Sequence, residues 1–168
     1  MFSLASRGEM SMKMDKVDIR RIVSLAVKAA AGKADSRGVS LKIAAAEGIP
    51  PVQADPEKIG WVVNQLLDNA IKFTPSGGSV VVGLQEEGGN LIQVSVRDSG
   101  IGIPKHRLKE IFEPFLQLEE SSTRHYGGTG LGLSLVRQVI EAHGSLLDMQ
   151  SVEGKGSTFM FPLLAVRE

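Results

Sequence analysis

A polar stripe within an apolar segment is the first feature of this sequence that could do chemistry. Gln65, Asn69 and Lys72 are spaced by four and three residues, so they share one face of a predicted helix. An amide oxygen on such a face can bind Mg²⁺, and a lysine one turn further along can neutralise phosphates. A solvated helix face would show the same pattern, so this segment alone leaves both interpretations open.

A turn containing two glycines follows a predicted strand at Asp98. Gly100 and Gly102 would let the backbone come close to a ligand. The Asp98 carboxylate can accept a hydrogen bond from an exocyclic amine such as that of adenine, whereas a guanine carbonyl would face a group with no proton to donate. That mismatch costs about 2–5 kcal/mol, enough to favour ATP over GTP. The alternative is an ordinary strand-to-loop turn.

A second glycine cluster opens a later predicted helix, where successive amides and the positive helix end suit a triphosphate. Its members are Gly127, Gly128, Thr129, Gly130, Leu131 and Gly132. The preceding stretch from 116 to 126 is polar and long, as lids often are. Arg124 could reach the terminal phosphate from this stretch, although a surface arginine is the simpler interpretation.

Other glycine motifs do not fit. The segment from Gly154 to Thr158 lacks the spacing of a P-loop. The glycines also come too late, and in two separate groups, for a dinucleotide-binding βαβ unit. The H-R-D and D-F-G signatures of protein kinases are absent from the sequence. The sequence therefore predicts a nucleotide site built from a helix, a turn and a lid.

Helices and strands must position these residues. Asp18 and Asp55-Pro56 are typical helix starts, and Gly38 and Gly144 typical stops. The strands occur in hairpins, which favours an α+β fold: a mixed, mostly antiparallel sheet with helices on one face. The predicted helices are 18–38, 55–74, 104–111 and 131–143, and the predicted strands are 39–45, a short one around 52, 79–85, 91–97, 145–150 and 157–163.

The composition excludes several classes of protein. The 168 residues carry 19 basic and 19 acidic side chains, which gives no bulk electrostatic case for nucleic-acid binding. No cysteine is present, so disulfides and thiolate metal sites are excluded. No apolar run reaches the roughly 18 residues of a membrane helix. We expect a cytoplasmic domain, whose parent protein could still be anchored in a membrane.

Five segments in order resemble the histidine-kinase branch of the GHKL ATPase superfamily. Residues 69–73 resemble its asparagine box, 98–103 and 127–133 its two glycine boxes, 111–115 its phenylalanine box and 156–159 its closing strand motif. The resemblance runs from about Asp18 to Leu163. It implies a two-layer α/β sandwich (the Bergerat fold) with a mobile ATP lid, and ATP and Mg²⁺ as cofactors.

The resemblance also implies a role for each matching residue. Asn69 would coordinate Mg²⁺ and Asp98 would bind adenine. Lys72 and the amides from Gly128 to Gly132 would hold phosphates. The base pocket would be completed by three further residues, with the last beneath the adenine: Phe73, Ile103 and Thr158.

One position departs from the family pattern. Gln65 stands where these kinases usually have asparagine and where hydrolysing relatives have glutamate. Glutamine cannot act as a general base, so rapid ATP hydrolysis is not expected. Whether its longer amide supports the metal is left open.

The acceptor histidine of the family is also missing. Its usual acidic neighbour follows none of the three histidines, His106, His125 and His143. Residues 1–14 look like the end of the preceding dimerisation and phosphoacceptor helix or like a linker, with a frayed N-terminus as the simpler interpretation, and residues 15–168 look like the catalytic domain.

The leading interpretation is the catalytic domain of a two-component sensor histidine kinase. It would present the γ-phosphate to a histidine on a separate dimerisation domain, with a response regulator downstream, and would be monomeric in isolation. A non-catalytic nucleotide sensor and an anti-sigma-type serine kinase are the alternatives.

Overall fold

The computed structural model describes residues 11–107 and 130–167. Within these ranges the chain forms a five-stranded sheet, a two-stranded sheet, three α-helices and one 3₁₀ turn. In chain order the elements are β1 Asp15–Val17, α1 Ile19–Ser36, β2 Ser40–Ala45, β3 Val52–Ala54, α2 Pro56–Lys72, β4 Ser79–Glu87, β5 Leu91–Asp98, the 3₁₀ turn Lys105–Arg107, α3 Gly130–Ala142, β6 Asp148–Val152 and β7 Gly156–Leu164.

The large sheet has the strand order β2-β4-β5-β7-β6, in which β2 runs parallel to β4 and the other neighbours are antiparallel. One face is covered by helices, because alternate residues of β5, such as Ile92, Val94 and Val96, are buried against them. The predicted two-layer sandwich with helices on one face is confirmed. Any lid lies outside the described residues.

The helix boundaries follow the predicted signals. Asp18 and Asp55 cap α1 and α2 through side-chain oxygens that accept backbone N–H bonds, and Pro56 occupies the first turn of α2. Gly38 and Gly144 follow the ends of α1 and α3 with positive φ angles of 72° and 79°. Local sequence signals therefore determine where these helices begin and end.

Three predicted elements differ in the structure. β6 spans Asp148–Val152, whereas a strand over 145–150 was predicted. Alternation predicted a half-buried strand over 39–45, but most β2 side chains are exposed because β2 is an edge strand. Lys105–Arg107 forms a single 3₁₀ turn where a helix over 104–111 was predicted, and residues 108–111 lie outside the described ranges.

The chain enters the domain through a strand that was not predicted. β1 pairs antiparallel with β3, with Val17 opposite Val52. Residues 11–14 before it have no regular secondary structure, and residues 1–10 lie outside the described ranges. Residues 11–14 therefore do not continue a helix, which fits the linker alternative, and the assignment of 1–14 to a helix end or a linker stays a prediction.

The Asp55 carboxylate ties the entering segment to α2. Only 3% of Asp55 is exposed. Its oxygens accept the N–H groups of Lys13 at 2.9 Å and of Glu57 and Lys58 at 3.1 Å, and lie 3.3 Å from the Lys58 ammonium. Burial alone would raise the pKa of this carboxyl, but these hydrogen bonds and the ammonium hold it below its ordinary value of 3.8.

The backbone of the same residue joins α2 to the end of α3. The Asp55 N–H donates to His143 Nε2 at 3.0 Å, and His143 Nδ1 lies 2.8 Å from the Val139 carbonyl. A backbone N–H can only donate, so Nε2 accepts and the proton of the neutral ring is on Nδ1. Because α2 and α3 pack together, this contact makes them antiparallel and directs the first turn of α3 towards the Asn69–Lys72 end of α2.

Replacing Asp55 with alanine should lower the free energy of unfolding by about 3–5 kcal/mol, since the change removes a helix cap and the carboxylate beside a buried ammonium. Glu86→Ala, which breaks the exposed ion pair with Arg167, should cost less than about 1 kcal/mol. Urea unfolding measures both. The Asp55 contribution should be full above pH 3.8 and be lost as the pH falls through the lowered pKa. Equal losses for the two variants would contradict this account.

Candidate nucleotide-binding site

Asn69 is the unusual residue of the polar stripe on α2. Its side chain is almost fully buried, with 4% of the residue exposed. Neither its amide oxygen nor its amide nitrogen has a hydrogen-bond partner within the described part of the chain. A buried polar group left in this state costs about 1–3 kcal/mol, and the described residues retain an amide that their own packing does not satisfy. Gln65, one turn earlier, is half-buried.

Lys72, at the end of the same helix, sits among other cations. Burial lowers the pKa of its ammonium, and repulsion from Lys33 and Arg37 lowers it further, while Asp68 opposes the shift. The Lys33 ammonium lies 3.2 Å from the Asp68 carboxylate, and Arg37 donates to the Lys72 carbonyl at 3.2 Å. An anion bound beside Lys72 would relieve this repulsion.

Asp98 is the last residue of β5 and points into the covered face of the sheet. It is 7% exposed, and its Oδ1 accepts the N–H groups of Gly100 at 2.9 Å and Ser157 at 3.2 Å. Burial raises the pKa of this carboxyl above its ordinary 3.8, even though both amide hydrogen bonds lower it. The structure therefore holds a fixed, poorly solvated hydrogen-bond acceptor at the end of the central strand.

The glycines after Asp98 are required by the protein's own backbone. A Cβ on Gly100 would overlap the carbonyl oxygen of Phe73, and one on Gly102, which has a φ of 71°, would overlap that of Val152. The sequence had suggested that these glycines make room for a ligand. Here they bring the turn against the end of α2, where half-buried Phe73 is the C-cap, and against β6.

The serines Ser151 and Ser157, which sequence reasoning missed, complete the surroundings of Asp98. The Ile103 N–H donates to Ser151 Oγ at 2.7 Å, and Ser151 Oγ lies 2.8 Å from Ser157 Oγ. Ile103 itself is half-buried. Ser157 pairs with Asp98 in the sheet register and could have been found by counting alternate residues back from Phe159.

The strand register corrects the prediction for Thr158. It was expected beneath the adenine near Asp98, but it pairs with Arg97, and successive strand residues point to opposite faces. Thr158, Arg97 and Gln150 line an open groove of about 770 Å³ on the uncovered face of the sheet. Ser157 occupies the position beside Asp98 instead.

The second glycine cluster is described only in part. The backbone of Gly130, Leu131 and Gly132 forms the first turn of α3, as predicted for residues that open a helix. Arg124 and the segment 127–129 (Gly127, Gly128 and Thr129) lie outside the described residues, as does the predicted phenylalanine box at 111–115. Their phosphate-binding roles stay predictions.

Comparison with known proteins agrees with this geometry. The family of histidine kinase-, DNA gyrase B- and HSP90-like ATPases matches residues 54–167, and the chain belongs to that family. Within that family, the chain is similar to the ATP-binding catalytic domains of histidine kinases. Sensor histidine kinase WalK of Bacillus subtilis is 40% identical over 113 residues, which cover 67% of this chain and 18% of WalK.

Two further comparisons extend over nearly the whole chain. The non-motile and phage-resistance protein of Caulobacter vibrioides is 38% identical over 159 residues, which cover 93% of this chain and 19% of that protein. The crystal structure of full-length ShkA in complex with AMPPNP superposes with a TM-score of 0.82 at 25% identity, covering 94% of this chain and 32% of ShkA. The chain thus spans less than a fifth of the two curated relatives.

Within residues 11–107 and 130–167, no helix combines the length and the apolar character needed to cross a bilayer.

Replacing Asp98 with asparagine should separate folding from binding. Asparagine keeps the oxygen that accepts the Gly100 and Ser157 amides but removes the poorly solvated charge, so stability without nucleotide should be unchanged or higher near pH 7. Affinity for ATP should fall at least about tenfold, because the adenine amine loses a charged acceptor. Thermal melts and calorimetry measure the two effects, with Asp148→Asn on exposed β6 as the control. Full ATP affinity in Asp98→Asn would contradict the assignment.

The pH dependence has a definite sign. Since folding raises the pKa of Asp98, ionising this group costs stability at neutral pH, and that cost disappears as the pH falls through the raised pKa. ATP affinity should weaken over the same acidic range, because protonated Asp98 is a poorer acceptor. Calorimetric titrations between pH 4 and 8 should show a larger weakening in the native protein than in Asp98→Asn, since protonation of the ATP phosphates affects both proteins alike.

Proposed function

We propose that this chain binds Mg-ATP and presents the γ-phosphate to a histidine on a separate dimerisation domain. The observation that carries the proposal is the buried amide of Asn69, which has no hydrogen-bond partner among the described residues. It lies one turn before Lys72, on a helix whose last residues contact the turn that follows Asp98. A buried amide, an ammonium and a buried carboxylate are thereby grouped around one end of α2, which supports roles for them as metal ligand, phosphate contact and base acceptor.

The residues present fit a magnesium ion. Mg²⁺ prefers oxygen ligands, usually takes only one or two from the protein and retains waters or phosphate oxygens for the rest. Asn69 Oδ1 would be the protein ligand, and Gln65 on the same face could support it. When bound, the ion neutralises charge on the phosphate oxygens.

The other site residues would each position a different part of the nucleotide. Lys72 would contact phosphate oxygens, together with the backbone N–H groups that open α3. Asp98 would accept the adenine amine, and Phe73 and Ile103 would contact the base. Catalysis then consists mostly of orientation and charge neutralisation.

The transfer step uses a nucleophile from outside this chain. A ring nitrogen of the acceptor histidine would attack the γ-phosphorus while the bond to the β,γ-bridging oxygen breaks, and ADP would leave with that oxygen. Gln65 cannot take a proton from water, so the site would favour transfer over hydrolysis. Slow hydrolysis would suit a domain that must keep ATP bound until the acceptor histidine reaches it.

The partners follow from this reaction. The proposal requires the dimerisation and phosphoacceptor domain of a parent kinase and a response regulator that receives the phosphoryl group. The name of WalK, a sensor histidine kinase, supports it, although the chain spans only 18% of WalK. We further propose that the isolated domain is monomeric and that it works on the cytoplasmic side.

Asn69→Ala should abolish the magnesium dependence of ATP binding. Its effect on unfolding should be below about 1 kcal/mol, because losing an unsatisfied amide offsets the small cavity that alanine leaves. Asn64→Ala changes an exposed amide of the same helix and is the matched control. Calorimetry with ATP and GTP, each with and without Mg²⁺, measures the effect. If the native, folded protein bound no ATP, the proposed function would be wrong.

Phosphoryl transfer should be tested with labelled ATP and a separately supplied dimerisation domain. We expect label on the acceptor that is lost in mild acid and kept in base, as a phosphohistidine requires. An acid-stable phosphoserine would favour the anti-sigma type of kinase. Tight ATP binding with no transfer to any supplied acceptor domain would favour a nucleotide sensor.

A further inference from the structure

The hydroxyl of Ser151 joins three segments that surround Asp98. Ser151 lies on β6, accepts the Ile103 N–H at 2.7 Å, and is 2.8 Å from Ser157 Oγ on β7. The Gly156 carbonyl, which could also accept the proton of Ser151, is further from Ser151 Oγ, at 3.3 Å. The turn after β5 and both strands of the last hairpin therefore meet at one half-buried side chain.

Two proton arrangements are open to this cluster, because either hydroxyl can donate in the contact between Ser151 and Ser157. The Ile103 amide can only donate, so Ser151 Oγ accepts from it and retains one proton to give. Two groups could accept the proton of Ser151. Ser157 Oγ lies 2.8 Å from Ser151 Oγ and the Gly156 carbonyl lies 3.3 Å from it, so Ser157 is closer by 0.5 Å. When Ser151 donates to Ser157, the proton of Ser157 is directed away from Ser151 and can be given to another acceptor.

Ser157 is well placed to use that proton on the Asp98 side. It is 6% exposed, it pairs with Asp98 in the register, and its own N–H is held by Asp98 Oδ1 at 3.2 Å. A carboxylate that accepts and a hydroxyl that donates, side by side, match the edge of adenine, where an amine lies next to the N1 acceptor. Guanine presents the reverse order, a carbonyl next to an N1–H donor.

We infer that Ser151 is a positioning residue for base recognition: it orients the Ser157 hydroxyl towards adenine N1, directly or through one water molecule, and fixes the Ile103 segment of the base pocket. The inference rests on the proposed binding of ATP. Ser151 itself acts through Ser157 and Ile103 and need not touch the nucleotide.

A simpler interpretation is that Ser151 only stabilises the hairpin. Ser145 provides the comparison, since its half-buried hydroxyl donates to the Pro162 carbonyl at 2.6 Å and contacts none of the residues around Asp98. Losing either hydroxyl should cost similar stability, but only Ser151 should affect recognition of the base.

The experiment compares ATP with 1-deaza-ATP, in which N1 is replaced by C–H, on the native protein, Ser151→Ala, Ser151→Thr and Ser145→Ala. Calorimetry should show that the native protein prefers ATP by about tenfold, as one neutral hydrogen bond can supply. Ser151→Ala should lose about tenfold in ATP affinity and about threefold or less in 1-deaza-ATP affinity, so that the preference nearly disappears. Ser151→Thr should restore it, and Ser145→Ala should leave it unchanged.

Each contrary outcome has its own meaning. If Ser151→Ala weakens both nucleotides equally, or behaves as Ser145→Ala does, Ser151 has only a structural role and the inference is wrong. A native protein that does not distinguish the two nucleotides would also overturn it, while leaving ATP binding intact. Failure of the native protein to bind ATP would overturn the proposed function itself.

Discussion

The two-residue period of the central strands is the constraint on which the site depends. The described helices cover one face of the sheet, so each residue at the end of β5 or β7 belongs either to that covered face or to the open groove. The register that pairs Asp98 with Ser157 places both on the covered side, and it places Arg97 and Thr158 on the other. A shift of one residue in either strand would remove the carboxylate or its hydroxyl neighbour from the site.

The polar residues near the last turn of α2 are buried without all the hydrogen bonds that they could make to the described part of the chain. Asn69 buries an amide without a hydrogen-bond partner among the described residues, and Asp98 buries a carboxylate whose pKa is raised as a result. Such groups cost stability and persist where a ligand completes them. The opposite end of α2 has the reverse character, since Asp55 accepts four hydrogen bonds and is stabilised in its charged form. The start of α2 is thus held by several hydrogen bonds, whereas a polar side chain near its end has no hydrogen-bond partner among the described residues.

Local signals were enough to predict much of this arrangement. The caps at Asp18 and Asp55, the glycine stops and the apolar periodicity predicted α1 and α2 and most of the large sheet, and the three polar and glycine-containing segments predicted the site. Pairing could not be predicted so well. β1 and β3 have three residues each, too few to show a period, and the exposure of β2 depends on its place at the sheet edge. The resemblance implied Thr158 where the strand register places Ser157, because a motif match carries no register.

The site is assembled from contacts between residues far apart in the chain. The bond from Ser157 to Asp98 spans 59 residues, and the bond from Asp55 to His143 spans 88. Folds dominated by such contacts must close long loops before those contacts form, so they fold slowly for their size. The central strand β5 obtains its second neighbour only from β7, the last strand of the described chain. During synthesis, therefore, the carboxylate of Asp98 is made about sixty residues before the strand that encloses it, and a chain still lacking β7 has an open sheet edge at the point where its nucleotide site should be.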